Sequence, residues 1–324
     1  MSGDTGFIGQ DEAWREWCSA IASSRMHHAW LLSGPKGLGK RAFAYAAAAE
    51  LVRPAGGARP SPINHPDILI LDHPPKDDKE AAKRAEGKPY ESKRNVTVDQ
   101  VRAMQQRITT RPTLGDRRAI IIDPADDMEK GAVNALLKSL EEPPTGTFFL
   151  LIAHQPGRLL PTIRSRCRVL RFAALDAQAL EAVLVRDMPQ ADAAVRAEAV
   201  EAANGSAGIA LAFIEHGLAP LYRLMRRILR EGDAGFGLRG ALAEEIGARP
   251  AREKVLATLD LARATISSEL DGEGPRERQL RVIEAHGALT GLAERAPTYN
   301  YDPGLLLMEI GGLLASAAMP RETA

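Results

Sequence analysis

Five short apolar runs, each bounded by turn residues, fall between residues 29 and 172: Ala29 to Ser33, Asp67 to Leu71, Ala119 to Asp123, Phe148 to Ala153 and Arg168 to Phe172. Runs that are apolar at consecutive positions suit strands buried on both faces, and the helical patterns between most of them supply the crossovers of a parallel sheet. One five-stranded α/β domain is therefore expected in the first half of the chain. No run of this kind follows Phe172, and the pattern stays helical to the end. Asp176 to Asp187, Ala191 to Ala203 and Ala207 to His216 are expected to be short helices, parted by Pro189 and Asn204-Gly205. Beyond about Gly217 longer helices are expected: Val255, Leu259, Ala262, Ile266 and Leu270 draw an amphipathic stripe, and the apolar stretch Gly304 to Ala317 is expected to be buried.

Composition narrows the function classes. The 324 residues leave room for two or three domains. With 42 Lys+Arg against 42 Asp+Glu the chain has no global cationic footprint for nucleic acid. Two cysteines, Cys18 and Cys167, are too few for a disulfide framework or a four-thiolate zinc site, so a reducing compartment, the cytoplasm, is expected. No stretch approaches the ~20 consecutive apolar residues that span a bilayer, so no membrane partner is expected. Between Pro74 and Arg94 seven basic and five acidic residues stand among few apolar ones, which reads as a solvated loop or mobile excursion.

The first strand is followed by Gly34-Pro35-Lys36-Gly37-Leu38-Gly39-Lys40-Arg41, which opens a helix running to Leu51. This is the setting of a phosphate-binding loop: Gly34, Gly37 and Gly39 let backbone N–H groups wrap a phosphate, and Lys40 would reach its terminal oxygens. The pattern calls for Ser or Thr after the lysine to hold magnesium; here Arg41 stands instead, and a cation repels the metal. Asp123, at the end of the third run, is a carboxylate suited to a metal, but the next residue, where a glutamate would activate water, is Pro124. Asp126 and Asp127 follow on a turn and are expected to point elsewhere.

From Pro143 to Leu175 there is no Asp or Glu, while Arg158, Arg164, Arg166, Arg168 and Arg171 make the segment cationic. Arg158, Arg168 and Arg171 read as a solvated rim. Within Thr162-Ile163-Arg164-Ser165-Arg166-Cys167 an arginine just before a strand is suited to reach a neighbour's phosphate as an arginine finger. Cys167 reads as a small buried residue, His27 and His28 as packing or capping groups, and Glu141-Glu142 before Pro143-Pro144 as a solvent-facing helix end. Arg223, Arg226, Arg227 and Arg230 lie on one amphipathic helix, with a solvated face as the default and phosphate contact as the alternative.

The succession GPKGLGK, IIIDPAD, NALLKSLEEPP and LLPTIRSRC resembles the clamp-loader branch of the AAA+ proteins, and Phe7-Ile8-Gly9-Gln10 and His27-His28-Ala29-Trp30-Leu31-Leu32 are similar to it as well. The resemblance implies an α/β P-loop AAA+ domain with a five-stranded parallel sheet over residues 1–172, a small helical lid over 173–217 and an all-α collar over 218–324. It further implies a hetero-pentameric ring with ATPase subunits of the gamma/tau type and a delta subunit, acting on a sliding clamp and primer-template DNA. Arg166 would then reach the ATP of the adjacent subunit. Tyr299-Asn300-Tyr301-Asp302-Pro303 is similar to collar ends of the family. Gly208 stands where motor subunits present a phosphate-sensing arginine, and Pro54 to Pro66 lacks the cysteines of the family's zinc module. The expectation is a largely non-hydrolysing subunit that requires no cofactor and no zinc, with residual ATP or ADP binding at Gly34, Gly37, Gly39 and Lys40 left open. The alternative is an ATP-hydrolysing clamp-loader motor or a related AAA+ ATPase.

Overall fold

The computed structural model describes residues 6–23, 25–270, 275–296, 299 and 301–318; Asn300 lies outside them. The chain divides into two compact units, Met1–Ala173 and Ala174–Ala324.

The first unit is built on five parallel strands: β1 (Ala29–Ser33), β2 (Ile68–Asp72), β3 (Arg118–Asp123), β4 (Thr147–Ala153) and β5 (Arg168–Arg171). They lie in the order β2-β3-β4-β1-β5. Each expected strand is found, with ends displaced by about one residue. Helices α1 (Asp11–Ala22), α2 (Lys40–Leu51), α3 (Asp78–Ala85), α4 (Val98–Ile108), α5 (Lys130–Glu141) and α6 (Pro161–Arg164) accompany the sheet. Alternation along the strands loads both faces. On one side Leu31, Ile120, Ile122, Phe149 and Leu151 pack with Val101, Met104, Leu136 and Leu140 of α4 and α5. On the other, Trp30, Leu32, Ile121, Leu150 and Ile152 pack with Trp17, Phe43, Ala44, Ala47 and Ala48. The small alanines of α2 let that helix approach the sheet closely.

The segment 74–94 corrects the sequence reading, because it contains helix α3 and is tied down at several points. Asp77 accepts from Glu80 N at 3.0 Å, capping the helix. Glu80, buried, accepts from Glu91 N at 2.7 Å and pairs with Lys83 at 2.7 Å. Arg84 grips Asp72 at the end of β2 with two bonds of 3.1 and 3.0 Å. Order here comes from caps and ion pairs, which a count of apolar side chains does not register. Helix α4, opened by a capping box of Thr97 and Gln100, has no counterpart among the expectations.

The second unit contains, among the described residues, only helices: α7 (Ala177–Asp187), α8 (Ala193–Ala202), α9 (Ala207–Glu215), α10 (Ala219–Glu231), α11 (Gly237–Ile246), α12 (Arg252–Ser267), α13 (Arg276–Arg295) and α14 (Pro303–Ser316). Helix α12 packs against both α9 and α10, and α11 against α14. The apolar tail is buried through Leu306, Leu307, Ile310 and Leu314. On α10, Arg223, Arg226, Arg227 and Arg230 pair with Glu198, Glu201, Glu231 and Glu231 respectively, while Leu221, Met225 and Ile228 are buried. Among the described residues no helix is long and apolar enough to cross a membrane.

Candidate functional site

The glycine-rich loop leaves the carboxyl end of β1, which is flanked by the carboxyl ends of β4 and β5 in register with Ser33. Backbone geometry requires glycine in this loop, Gly37 included, whose φ is 87°. A Cβ on Gly34 would lie 2.7 Å from Phe172 O, and Gly39, the N-cap of α2, has φ of 79° in the left-handed region. The loop and helix N-terminus are thus those of a phosphate cradle.

The side chains within it are engaged with each other. Lys40, 2% exposed, donates from Nζ to Gly34 O and Pro35 O, both at 2.6 Å. Burial lowers its pKa to about 8, opposed by the charges of Asp126 and Asp123. Arg41 donates through Nε to Asp123 Oδ2. Burial alone would lower the Arg41 pKa, but the Asp123 carboxylate carries it above its ordinary value. Asp123 is itself almost wholly buried, 4% exposed at the side chain. The residue that would approach a metal is therefore neutralised by the residue that replaces the metal-binding hydroxyl. With a guanidinium on the carboxylate and no side-chain base at Pro124, the residues present do not fit a magnesium–nucleotide complex.

The turn after β3 does not take both carboxylates elsewhere: Asp126 stays close enough to the loop for its charge to act on Lys40, ahead of that of Asp123, while Asp127 is engaged outside it. Asp126 Oδ2 accepts from His154 N at 3.0 Å and Gln155 N at 2.6 Å, closing the end of β4. Asp127 faces His73 at 3.3 Å and Arg158 at 3.8 Å. His154, not singled out by sequence, lies in the same charged neighbourhood; burial, then the charge of Lys40, lowers its pKa. Its only sequence signal is its place at the end of an apolar run.

The arginine corner differs. Helix α6 and the turn after it carry Arg164, Ser165 and Arg166 to the start of β5. Arg166 donates from Nη1 to Thr162 O at 2.9 Å, and its Nη2 lies 2.7 Å from Glu141 Oε1. The two side chains are 35% and 50% exposed. Glu141 is thus an ion-pair partner rather than merely a solvent-facing helix end, a contact between residues 25 apart that spacing does not reveal. The rim reading also needs amendment at Arg168, which pairs with Glu16 at 2.7 Å and lies over the Trp30 ring at 5.0 Å. Cys167 is shielded, its thiol pushed up to about 12 by burial, which fits a poorly nucleophilic residue. His27 Nδ1 meets Ala29 O at 2.8 Å and His28 Nε2 meets Leu140 O at 2.9 Å, both packing roles. Gly208 lies in the first turn of α9, capped by Ser206, and has no side chain to offer a phosphate.

A glycine-rich loop at the end of β1, an acidic end on β3 and a basic turn before β5 define a P-loop module of the AAA+ type. The family model described as DNA polymerase III, delta subunit, matches residues 9–176, and the chain belongs to that family. It is 36% identical over 201 residues to DNA polymerase III subunit delta′ of Pseudomonas aeruginosa, a match covering 59% of this chain and 56% of that one. It is 31% identical over 208 residues to the subunit delta′ of Escherichia coli, covering 61% and 57%. DNA polymerase III subunit gamma/tau of Mycobacterium bovis is 30% identical over 216 residues, covering 65% and 36%. The chain thus matches about half the length of its delta′ relatives.

Proposed function

We propose that the chain works in DNA replication as a delta′-type subunit of a clamp loader, a stator that does not hydrolyse ATP itself. In this reading it sits in a hetero-pentameric cytoplasmic ring beside gamma/tau-type ATPase subunits and a delta subunit. It needs neither nucleotide nor zinc of its own, and it lends Arg166 to the ATP of its neighbour while the ring places a sliding clamp on primer-template DNA. The observation that carries the reading is the contrast within one domain: Arg41 neutralises Asp123 in the chain's own pocket, while Arg166 is held at the surface by partners it can exchange. An arginine inserted from outside stabilises charge on a transferring phosphoryl group, which requires only reach and orientation from the donor subunit.

The test is ATP turnover by the complex reconstituted with wild-type chain and with Arg166→Ala. Loss of turnover at the adjoining site is expected, and normal turnover refutes the role. The competing reading, an ATP-hydrolysing motor, draws on the retained glycines of the loop and on Lys40. Hydrolysis by the isolated chain that disappears in Lys40→Ala would establish it instead.

A further inference from the structure

We infer that Glu141 is a positioning residue for Arg166, orienting the guanidinium at the domain surface for delivery to a phosphate on an adjoining subunit. The inference rests on the reading of Arg166 as acting in trans. Two nitrogens of Arg166 engage two different acceptors, Thr162 O at 2.9 Å and Glu141 Oε1 at 2.7 Å, and together these fix both the position and the plane of the group. Without the carboxylate, a single bond to a neighbouring carbonyl leaves the long side chain free to change rotamer.

The carboxylate is in turn presented by a buried scaffold. Glu141 is the last residue of α5, and the preceding turn is anchored where His28 Nε2 donates to Leu140 O at 2.9 Å. Gln105 Nε2 donates to Ala135 O at 2.9 Å and to Ser139 Oγ at 3.1 Å, tying the same helix to α4. Leu136 and Leu140 are buried in the core beneath. His28, just before β1, and Gln105 of α4 thereby fix the end of α5 from which Glu141 reaches Arg166. The pair itself stays half exposed. Exposed ion pairs of this kind shift an equilibrium by at most about five-fold, so a phosphate, with greater charge and room for two parallel N–H donors, displaces the carboxylate readily. Orientation is strong enough to pre-set the arginine and weak enough to release it.

Glu142, one residue further on, has the same charge and no ion pair among the described residues, so it is a built-in control. The experiment uses the full chain in the reconstituted complex, with steady-state ATP turnover as the readout. Glu141→Ala is expected to lower kcat about two- to five-fold with KM for ATP unchanged, since the arginine acts on the transition state. Glu141→Gln, isosteric and still an acceptor, is expected to recover part of the loss and carries the test should the alanine variant fail to fold. Glu142→Ala is expected to match wild type. Combining Glu141→Ala with Arg166→Ala is expected to add nothing to Arg166→Ala alone, an outcome that a merely structural role for Glu141 would not give. With Arg166→Ala effective, an unchanged or raised kcat in Glu141→Ala, an equal loss in Glu142→Ala, or a further loss in the double variant overturns the inference. If Arg166→Ala itself leaves turnover unchanged, it is the trans reading that fails.

Discussion

Two corners of the first unit carry a strongly basic side chain within reach of an acidic one, and they treat it in opposite ways. In the phosphate-loop corner Lys40 is turned back onto the loop's carbonyls, and Arg41, though 58% exposed, places Nε on a buried Asp123, so both cations have an acceptor within the fold. In the corner before β5, Arg166 is held by one backbone carbonyl and one half-exposed carboxylate. The buried Lys40 amine and Asp123 carboxylate are poorly screened by water and need their partners, whereas both members of the Arg166–Glu141 pair are partly exposed, so that pair contributes little and is easily exchanged. The same chemistry thus serves stability in one place and availability in the other.

The largest effect expected to sharpen this contrast is functional. On the proposed role in trans, Arg166→Ala should reduce ATP hydrolysis at the adjoining subunit by at least ~10³-fold while leaving the thermal unfolding of the isolated chain unchanged. A large drop in thermal stability would mean that Arg166 is a folding residue like those of the other corner.

Next comes pH dependence at Lys40, whose folded pKa of about 8 lies below its ordinary value of 10.5. Below pH 8 both folded and unfolded chains carry the proton; between the two values only the unfolded chain does. Raising pH through that window therefore favours the fold, by up to about 1.4 kcal/mol per pH unit. Urea unfolding of wild type against Lys40→Met should show the wild type gaining on the variant from pH 8 to 10, and parallel curves would contradict the burial of that amine.

Asp123→Ala comes third. It removes the carboxylate that holds Arg41, and because Arg41 is 58% exposed it can turn to water, so the cost should be about 2 kcal/mol rather than that of a stranded buried charge. Turnover by the reconstituted complex should be unaffected, and a loss there would give the chain's own pocket a working role. The smallest effect is expected from Glu16→Ala, which frees Arg168 from an exposed pair and should change stability by less than about 1 kcal/mol. A larger loss in chemical denaturation would show that the basic rim is built into the fold.

Much of this was legible from sequence because it depends on local pattern. The five strands announce themselves as runs apolar at every position, since both faces of the sheet are covered, and Ile120, Ile121 and Ile122 are buried without exception. The phosphate loop is likewise local, a matter of glycine spacing between a strand and a helix, and the mismatch at Arg41 and Pro124 can be seen without coordinates. Helix α3 escaped because its order is electrostatic, and α4 because its half-buried face lies in a weakly apolar stretch.

The sequence by itself determined which groups are present at each corner: a lysine and arginine at a glycine-rich turn, an aspartate at a strand end, an arginine before the last strand. Only the tertiary structure decided what those groups hold. Arg41 meets Asp123 across 82 residues because α2 packs against β3, and Arg166 meets Glu141 because α5 ends beside the turn after α6. An ion pair requires a few ångströms of separation, and between residues distant in the chain that separation is set by packing, which leaves no periodicity or spacing for a linear reading to find.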